Sequence, residues 1–165
     1  DTSWKIILNY TFQNQKQTSG SVLTYSPEDY IIAHVEQAGA GTASPLYSDS
    51  VSMHYMGRLI PSTTYTSGLI FDKSWSSDTF NATTSRPNHS YIGLSYDSKG
   101  KPISLVDGFT TALMSMHRGD HWTVYIPHQL GYGTSASGTV PAYSTLIFDL
   151  RLVDFSHPGT KLKDS

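Results

Sequence analysis

Two segments late in the chain alternate apolar and polar positions with a period of two residues. In the first, Trp122, Val124 and Ile126 alternate with Thr123 and Tyr125. The second has the sequence TLIFDLRL over residues 145–152 and alternates in the same way. Successive side chains of a β-strand point to opposite faces, so this period predicts two strands, each with one buried face.

A third alternating segment, VSMHYMG over residues 51–57, predicts the end of another strand. Val51 and Met53 alternate with Ser52 and His54, which places Tyr55 on the inward face. A buried tyrosine brings a hydroxyl that needs a hydrogen-bond partner. Tyr55 therefore serves either a core or the wall of a pocket.

The period changes in the segment VDGFTTALMSMHRGD, residues 106–120. Val106, Phe109, Leu113 and Met116 lie on one helical face, and Gly119 is expected to end the helix. The order of elements along the chain is strands, one helix, then strands. This order predicts an α+β fold in which an antiparallel sheet covers a single helix.

The N-terminal segment carries a different period. Trp4, Leu8 and Phe12 recur every four residues after a possible cap at Thr2 or Ser3, which predicts a short helix over residues 3–17. Residues 22–25 and 30–36 are rich in β-branched and aromatic side chains and predict two further strands. We therefore expect residues 1–28 to form a partly helical extension.

Residues 60–102 are rich in Ser, Thr, Asn and Gly, with apolar groups at residues 69–71 and 91–92. A segment of this composition inside a compact domain is typical of functional loops joined by short strands. The sequence therefore predicts irregular structure between the opening strands and the helix.

Composition limits the classes of function. The chain has 165 residues, 38% of them hydrophobic, which suits one domain. A net charge of −2 with 15% charged residues leaves no basic surface for nucleic acid. Without cysteine, disulfides, thiolate catalysis and Cys-ligated zinc are excluded. No run is long enough to span a membrane, and the abundant Ser and Thr with few Lys favour an exported protein, with a cytoplasmic location left open.

Several catalytic motifs are missing from the sequence. GTSASG at residues 133–138 lacks the G-x-S-x-G spacing of a hydrolase nucleophile, and there is no P-loop or dinucleotide-binding motif. Asp72 is the only acid in a strongly apolar setting, whereas glycoside hydrolysis needs a pair. His117 and His121 are four residues apart, but Gly119 and Asp120 between them should end the helix. We therefore expect no metal site and no cofactor.

Six short motifs occur in an order that resembles a known family. They are HYMG (54–57), IFDKS (70–74), VDGF (106–109), IPHQLGYG (126–133), GTVP (138–141) and TLIFDLRL (145–152). Over residues 30–155 the chain resembles the FKBP-type peptidyl-prolyl cis-trans isomerases. The resemblance implies an FKBP-like α+β fold, an antiparallel half-barrel wrapped around one short helix. It places the isomerase domain at residues 29–156, between the extension and a C-terminal tail, residues 157–165.

The resemblance also implies a pocket. Its catalytic residues would be Tyr55, Phe71, Asp72, Phe109, Tyr132 and Phe148, and its substrate-binding residues Val106 and Val140. The hydroxyl of Tyr55 would be tied to a polar group such as Asp72. The chain departs from the family where Phe109 replaces a frequent tryptophan and Val106 a common isoleucine, although the backbone N–H of Val106 is kept.

The function implied is acceleration of rotation about X-Pro bonds in polypeptides, without cofactor or covalent step. A catalytically weak FKBP-like module or chaperone that binds peptides is the alternative, and abundant Tyr and Trp also suggest carbohydrate binding, which the helix and the ordered motifs disfavour. The expected partners are proline-containing polypeptides and a macrolide ligand, with no nucleic acid. We expect a monomer, exported to the periplasm or cell envelope, with a possible membrane anchor outside this chain.

Overall fold

The computed structural model describes residues 1–15 and 23–162. Within these residues the strands are β1 (Trp4–Leu8), β2 (Tyr30–Gln37), β3 (Ser50–Arg58), β4 (Ile70–Lys73), β5 (Asn88–Tyr91), β6 (Ser95–Tyr96), β7 (Pro102–Ile103), β8 (His121–Ile126) and β9 (Leu146–Ser156). The single α-helix of this part of the chain, α1, spans Asp107–Leu113, and short 3-10 helices span Pro27–Asp29 and His128–Leu130.

The main sheet is antiparallel and has the order β1-β2-β8-β9-β3-β4, with β5 also paired to β3. One half of β3, Ser50 to Met53, pairs with β5, and the other half, Met56 to Arg58, pairs with β4. The strands β6 and β7 form a separate hairpin. The predicted α+β architecture, with one helix against an antiparallel sheet, is confirmed.

The alternating positions of β8 and β9 build the core. Their inward side chains are buried, and they pack against apolar side chains from the helical segment. The core members from these elements are Trp122, Val124, Ile126, Leu146, Phe148, Leu150, Leu152 and Phe155 from the strands, and Phe109, Ala112, Leu113 and Met116 from the helical segment. A fully buried side chain of this size contributes about 1.5–3 kcal/mol.

The helix α1 is shorter than the sequence predicts. Regular helix ends at Leu113, although Met116 N still bonds to Ala112 O. Gly119 has a φ of +88°, and its N–H donates to Leu152 O on β9. The predicted end at Gly119 therefore marks the turn into β8 rather than the last helical residue. Among the residues that the structure describes, no helix is long and apolar enough to cross a membrane.

The N-terminal helix prediction is wrong over residues 3–15, and residues 16 and 17 lie outside the described residues. Residues 4–8 form β1, which pairs antiparallel with β2 from Trp4 opposite His34 to Leu8 opposite Tyr30. The spacing that suggests a helix also puts Trp4 and Leu8 on one strand face. The backbone of β1 finds its hydrogen-bond partners on the edge of β2. A strand this far along the chain cannot be recognised from the N-terminal residues alone.

The segment between β1 and β2 also differs from expectation. Residues 23–25 are not a strand, and residue 22 lies outside the described residues. Asn9 is buried, its N–H donates to Asp29 O, and the next N–H, of Tyr10, donates to Thr111 Oγ1 on α1. The extension therefore contacts both the sheet and the helix. Its division from the rest at residue 28 stays a prediction.

We predict that β1 contributes to the stability of the fold through Ile7. Ile7 packs against the core. Its neighbour Ile6, on the opposite face of the strand, is 72% exposed. Ile7→Ala should lower the free energy of unfolding by about 1–3 kcal/mol, and Ile6→Ala by no more than about 0.5 kcal/mol. Urea unfolding of the two variants is the measurement, and equal small effects would show that β1 is an accessory strand.

Candidate active site

Five aromatic rings, from β3, β4, α1, β9 and the loop after β8, form one cluster. Phe109 of α1 lies 5.0 Å from Phe148 and 5.7 Å from Tyr55, centroid to centroid. Phe71 lies 5.6 Å from Phe148 and 6.2 Å from Tyr132. The interplanar angles of these four pairs, 80° to 86°, are those of edge-to-face contacts. Such pairs add about 0.5–1.5 kcal/mol each beyond the area they bury.

The position of Phe148 depends on Gly57, which lies opposite it in the β3–β9 register. A Cβ at Gly57 would lie 2.5 Å from Cζ of Phe71 and 2.8 Å from Cε1 of Phe148. Any side chain at this position would therefore push one of the two rings away. The glycine of the HYMG motif is the residue that lets both rings pack.

A cavity of about 140 Å³ opens beside these rings. Its lining consists of Met53, Tyr55, Asp72, Asn88, Ser104, Leu105, Val106, Phe109, Tyr132 and Phe148. The structure thus brings together six of the side chains that the sequence resemblance placed in the pocket. Phe109 lines this cavity and is also only 4% exposed as a member of the core.

Phe71 and Val140 are the two predicted pocket residues that do not line this cavity. Phe71 contacts Phe148 and Tyr132, which both line the cavity. Val140 is buried in the core, and its backbone exchanges two hydrogen bonds with Ser137 in the loop after Tyr132. Their roles in substrate binding stay predictions.

Four lining residues were not predicted from the sequence. Met53 precedes Tyr55 by two residues on β3, so the same alternation could have identified it. Asn88 begins β5, and Ser104 and Leu105 lie between β7 and α1. No period of apolar and polar positions marks these residues, so only the folded chain brings them to the cavity.

Tyr55 and Asp72 form the polar contact at the cavity. The Tyr55 hydroxyl donates to Oδ2 of Asp72 at 3.1 Å, and Oδ1 of Asp72 accepts the N–H of Lys73 at 2.9 Å. The expectation that the Tyr55 hydroxyl is tied to Asp72 is confirmed. The carboxylate is thereby oriented, and the Tyr55 hydroxyl is engaged.

Both cavity tyrosines are held in the neutral form. Burial, followed by the charge of Asp72, raises the pKa of Tyr55 to about 12. The same two causes, in the same order, raise the pKa of Tyr132. Each phenol therefore keeps its proton at any physiological pH and can act only as a neutral hydrogen-bonding group.

Two donors at the cavity wall are open to a ligand. Val106 precedes α1 with φ −62° and ψ 147°, and its carbonyl accepts the N–H groups of Phe109 and Thr110. Within residues 1–15 and 23–162, no group accepts a hydrogen bond from Val106 N–H or from the Tyr132 hydroxyl. Both can therefore bind a carbonyl oxygen that enters the cavity.

The two histidines considered as metal ligands contact different acids. His117 lies 3.5 Å from Asp120, and His121 lies 2.8 Å from Asp149 on β9. In the described part of the chain no three His, Asp or Glu side chains are grouped as metal ligands. The expectation that function needs no metal stays a prediction.

The profile of the FKBP-type peptidyl-prolyl cis-trans isomerases matches residues 41–153. The chain belongs to this family. The matched range contains all six motifs from which the sequence resemblance was drawn, and it includes every residue that lines the cavity.

Relatives of this FKBP-type chain include proteins from a protozoan and a bacterium. The macrophage infectivity potentiator of Trypanosoma cruzi is 34% identical over 122 residues, which is 73% of this chain and 50% of that protein. The peptidyl-prolyl cis-trans isomerase Mip of Coxiella burnetii is 31% identical over 125 residues, 72% of this chain and 42% of that protein. The chain thus spans half or less of the length of these relatives.

Solved structures show the same fold. The crystal structure of FkpA from Escherichia coli has a TM-score of 0.58 and 28% identity, covering 77% of this chain and 48% of that one. A peptidyl-prolyl cis-trans isomerase from Pseudomonas syringae pv. tomato has a TM-score of 0.56 and 25% identity, covering 77% and 76%. The predicted FKBP-like fold is therefore confirmed.

We predict that Tyr55 makes stability fall in alkaline solution. The folded chain holds the phenol proton more tightly than the unfolded chain, whose tyrosine pKa is about 10. The contribution of Tyr55 is therefore complete below about pH 10 and is lost as the pH rises toward its folded pKa of about 12. Urea unfolding between about pH 10 and pH 12 should show the free energy of unfolding falling more steeply for the wild type than for Tyr55→Phe.

Asp72→Asn is the matched variant for this measurement, because it removes the second cause of the raised pKa while Tyr55 stays buried. In Asp72→Asn the free energy of unfolding should fall with pH less steeply than in the wild type and more steeply than in Tyr55→Phe. Parallel curves for the wild type and Tyr55→Phe would contradict the raised pKa.

Proposed function

We propose that this chain is a peptidyl-prolyl cis-trans isomerase that accelerates rotation about X-Pro bonds in polypeptides. The observation that carries the proposal is the aromatic cavity with two unoccupied hydrogen-bond donors, Val106 N–H and the Tyr132 hydroxyl, at its wall. Membership of the isomerase family and the names of its relatives support the same conclusion.

The size of the cavity suits a proline ring. An apolar cavity of about 150 Å³ holds one benzene molecule. The cavity here, about 140 Å³, can therefore admit a five-membered ring between Tyr55, Phe109 and Phe148.

The chemistry requires a change of environment rather than a nucleophile. The X-Pro amide is planar through resonance, and rotation crosses a barrier of about 18–20 kcal/mol. The planar amide has more charge separation than the twisted one, so an apolar wall disfavours the planar form relative to the twisted form. Each ~1.4 kcal/mol by which the barrier falls accelerates the rotation tenfold.

The two open donors position the substrate. Val106 N–H and the Tyr132 hydroxyl can bind the carbonyl groups on either side of the proline, which holds the flanking backbone while the amide turns. Ser104 lies in the cavity lining, and that lining contains no histidine to act as its base. A covalent step through this serine is therefore not part of the proposal.

The proposal is tested by an isomerisation assay on a short X-Pro peptide and on a protein whose refolding is limited by proline. We expect both reactions to be accelerated. A macrolide that occupies the cavity should abolish the acceleration once the cavity is saturated. If micromolar protein, shown to be folded by circular dichroism, left both rates unchanged, the result would instead favour the peptide-binding module or chaperone. In that case the cavity at Phe109 would bind peptides without turnover.

The setting of this activity is also proposed. Export to the periplasm or envelope is supported by the composition, rich in Ser and Thr and poor in Lys, and cell fractionation of the host tests it. We further propose that the chain acts as a monomer on proline-containing polypeptides, which sedimentation during the assay would check.

We predict that Tyr132→Phe weakens catalysis without loss of stability. Tyr132 is 38% exposed, and its hydroxyl bonds to no other described residue, so the fold should not depend on it. Loss of one neutral hydrogen bond in the transition state costs about 0.5–1.5 kcal/mol, a two- to twelvefold fall in kcat/KM. Tyr143→Phe, in the same loop but outside the cavity lining, is the control and should match the wild type.

We predict that Val106→Pro removes the second donor with little change in the fold. The φ of Val106, −62°, is one that proline adopts, and its N–H is bonded to no described residue. Compared with Val106→Ala, which keeps the N–H, Val106→Pro should lower kcat/KM about two- to twelvefold. Equal activity per folded molecule in both variants would show that this N–H does not bind substrate.

A further inference from the structure

The strand β4 is attached to the sheet along one edge. It has four residues and lies at the end of the sheet order, and its partner among the described strands is β3. The pairing of β4 with β3 also shifts register between Gly57 and Arg58. Asp72, the acid at the cavity, is the third residue of this short strand. The position of Asp72 therefore depends on how firmly the end of β4 is held.

Ser74, the first residue after β4, completes the attachment with its side chain. The β3–β4 register, in which Gly57 is opposite Asp72, continues to place Tyr55 opposite Ser74. Ser74 N–H donates to Tyr55 O at 2.9 Å, as in a regular antiparallel ladder. The return bond runs from Tyr55 N–H to Oγ of Ser74, also at 2.9 Å, rather than to the Ser74 carbonyl. The hydroxyl therefore takes the place of a backbone acceptor where the strand ends.

Tyr55 is thus tied to one short piece of chain by its backbone and by its side chain. The backbone of Tyr55 exchanges two hydrogen bonds with Ser74, and its hydroxyl donates to Oδ2 of Asp72 at 3.1 Å. Ser74 and Asp72 are only two residues apart. A shift of Ser74 would therefore change the distance between the Tyr55 hydroxyl and the Asp72 carboxylate.

The chain that follows Ser74 is fixed on the face of the sheet away from the cavity. Trp75 is 7% exposed, and its ring centroid lies 5.2 Å from that of Phe80. The Phe80 ring lies 4.8 Å from the ring of His54 and 4.2 Å from Cζ of Arg151. His54 and Arg151 lie opposite each other on β3 and β9. Ser74 therefore lies between a paired strand and a packed loop, both of which restrict its position.

We propose that Ser74 is a positioning residue of the isomerase site, whose hydroxyl fixes Tyr55 so that the phenol stays bonded to Asp72. The inference rests on the proposed isomerase function. Ser74 does not line the cavity, so it acts through Tyr55 and Asp72, which do. Without the hydroxyl, the Tyr55 N–H would lose its acceptor, which is unfavourable for a half-buried donor.

The test compares Ser74→Ala, which removes the acceptor, with Ser74→Thr, which keeps a hydroxyl. In Ser74→Ala, kcat/KM per folded molecule for a short X-Pro peptide should fall about threefold or more, because displaced site groups lower the rate. Ser74→Thr should keep the wild-type kcat/KM. Ser74→Cys is a second variant without the hydroxyl; its thiol fills a similar space but accepts hydrogen bonds weakly, so it should show the same loss as Ser74→Ala.

The titration of Tyr55 is the second measurement, and it requires no turnover. Burial, followed by the charge and hydrogen bond of Asp72 and the charge of Tyr132, raises the pKa of Tyr55 to about 12. NMR of protein labelled at the tyrosine ring carbon that bears the hydroxyl follows each phenol, and Tyr55→Phe identifies the Tyr55 signal. In Ser74→Ala the pKa of Tyr55 should lie below the wild-type value, because the phenol is freer to leave Asp72. In Ser74→Thr it should be unchanged.

Ser62→Ala is the matched control, because Ser62 exchanges the same two kinds of hydrogen bond with a tyrosine. Its N–H donates to Tyr65 O at 2.9 Å, and its Oγ accepts Tyr65 N–H at 3.0 Å. This pair lies in the loop between β3 and β4, outside the cavity lining, and Tyr65 is 49% exposed. Ser62→Ala should therefore keep both the wild-type kcat/KM and the wild-type pKa of Tyr55.

A purely structural role for Ser74 would give a different result. Folded Ser74→Ala or Ser74→Cys with a lower melting temperature, but with the wild-type kcat/KM and Tyr55 pKa, would overturn the inference. Loss of turnover or of the raised Tyr55 pKa in folded Ser74→Thr would also overturn it. If the folded wild type did not turn over the peptide, the isomerase function would be contradicted, and the titration alone would decide whether Ser74 positions Tyr55.

Discussion

The close approach of Phe148 and Phe71 over Gly57 is the constraint on which the site depends. The missing side chain at Gly57 leaves room for both rings, and Phe148 then contacts Tyr55 and Phe109 from the opposite side. Phe109 is the α1 residue that meets Phe148, while the helix as a whole packs mainly against β2, β1 and β8. The helix and the cavity therefore share one side chain, that of Phe109.

This dual use explains why Phe109 cannot be classed as either core or pocket. Its ring is buried among core residues and also lines the cavity, so truncation would create a void and remove a wall together. For the polar groups of the cavity, a role in binding is easier to distinguish from a role in folding. The Tyr132 hydroxyl and the N–H of Val106 bond to no other described residue, so a ligand could accept from them without breaking a hydrogen bond of the fold.

The stretch between β5 and α1 contacts both the helix and the cavity. Thr110 Oγ1 on α1 donates to Ile92 O at 3.5 Å, which joins the base of the hairpin to the helix. The same stretch returns to the cavity through Ser104 and Leu105. The stretch between β5 and α1 is therefore tied to the helix at Ile92 and contributes to the cavity lining at Ser104 and Leu105.

The sequence by itself determined the strands β3, β8 and β9, the position of the helix and most of the cavity lining. The strands and the helix follow from local periods, whereas the predicted lining residues follow from the family resemblance that motifs such as HYMG and VDGF carry. The tertiary structure alone decided that residues 4–8 are a strand, because the partner that satisfies their backbone is β2, more than twenty residues away. It also decided that Asn88, Ser104 and Leu105 reach the cavity while Val140 lies in the core. Such positions depend on which distant segments pack together, and that information is not present in any local pattern of side chains.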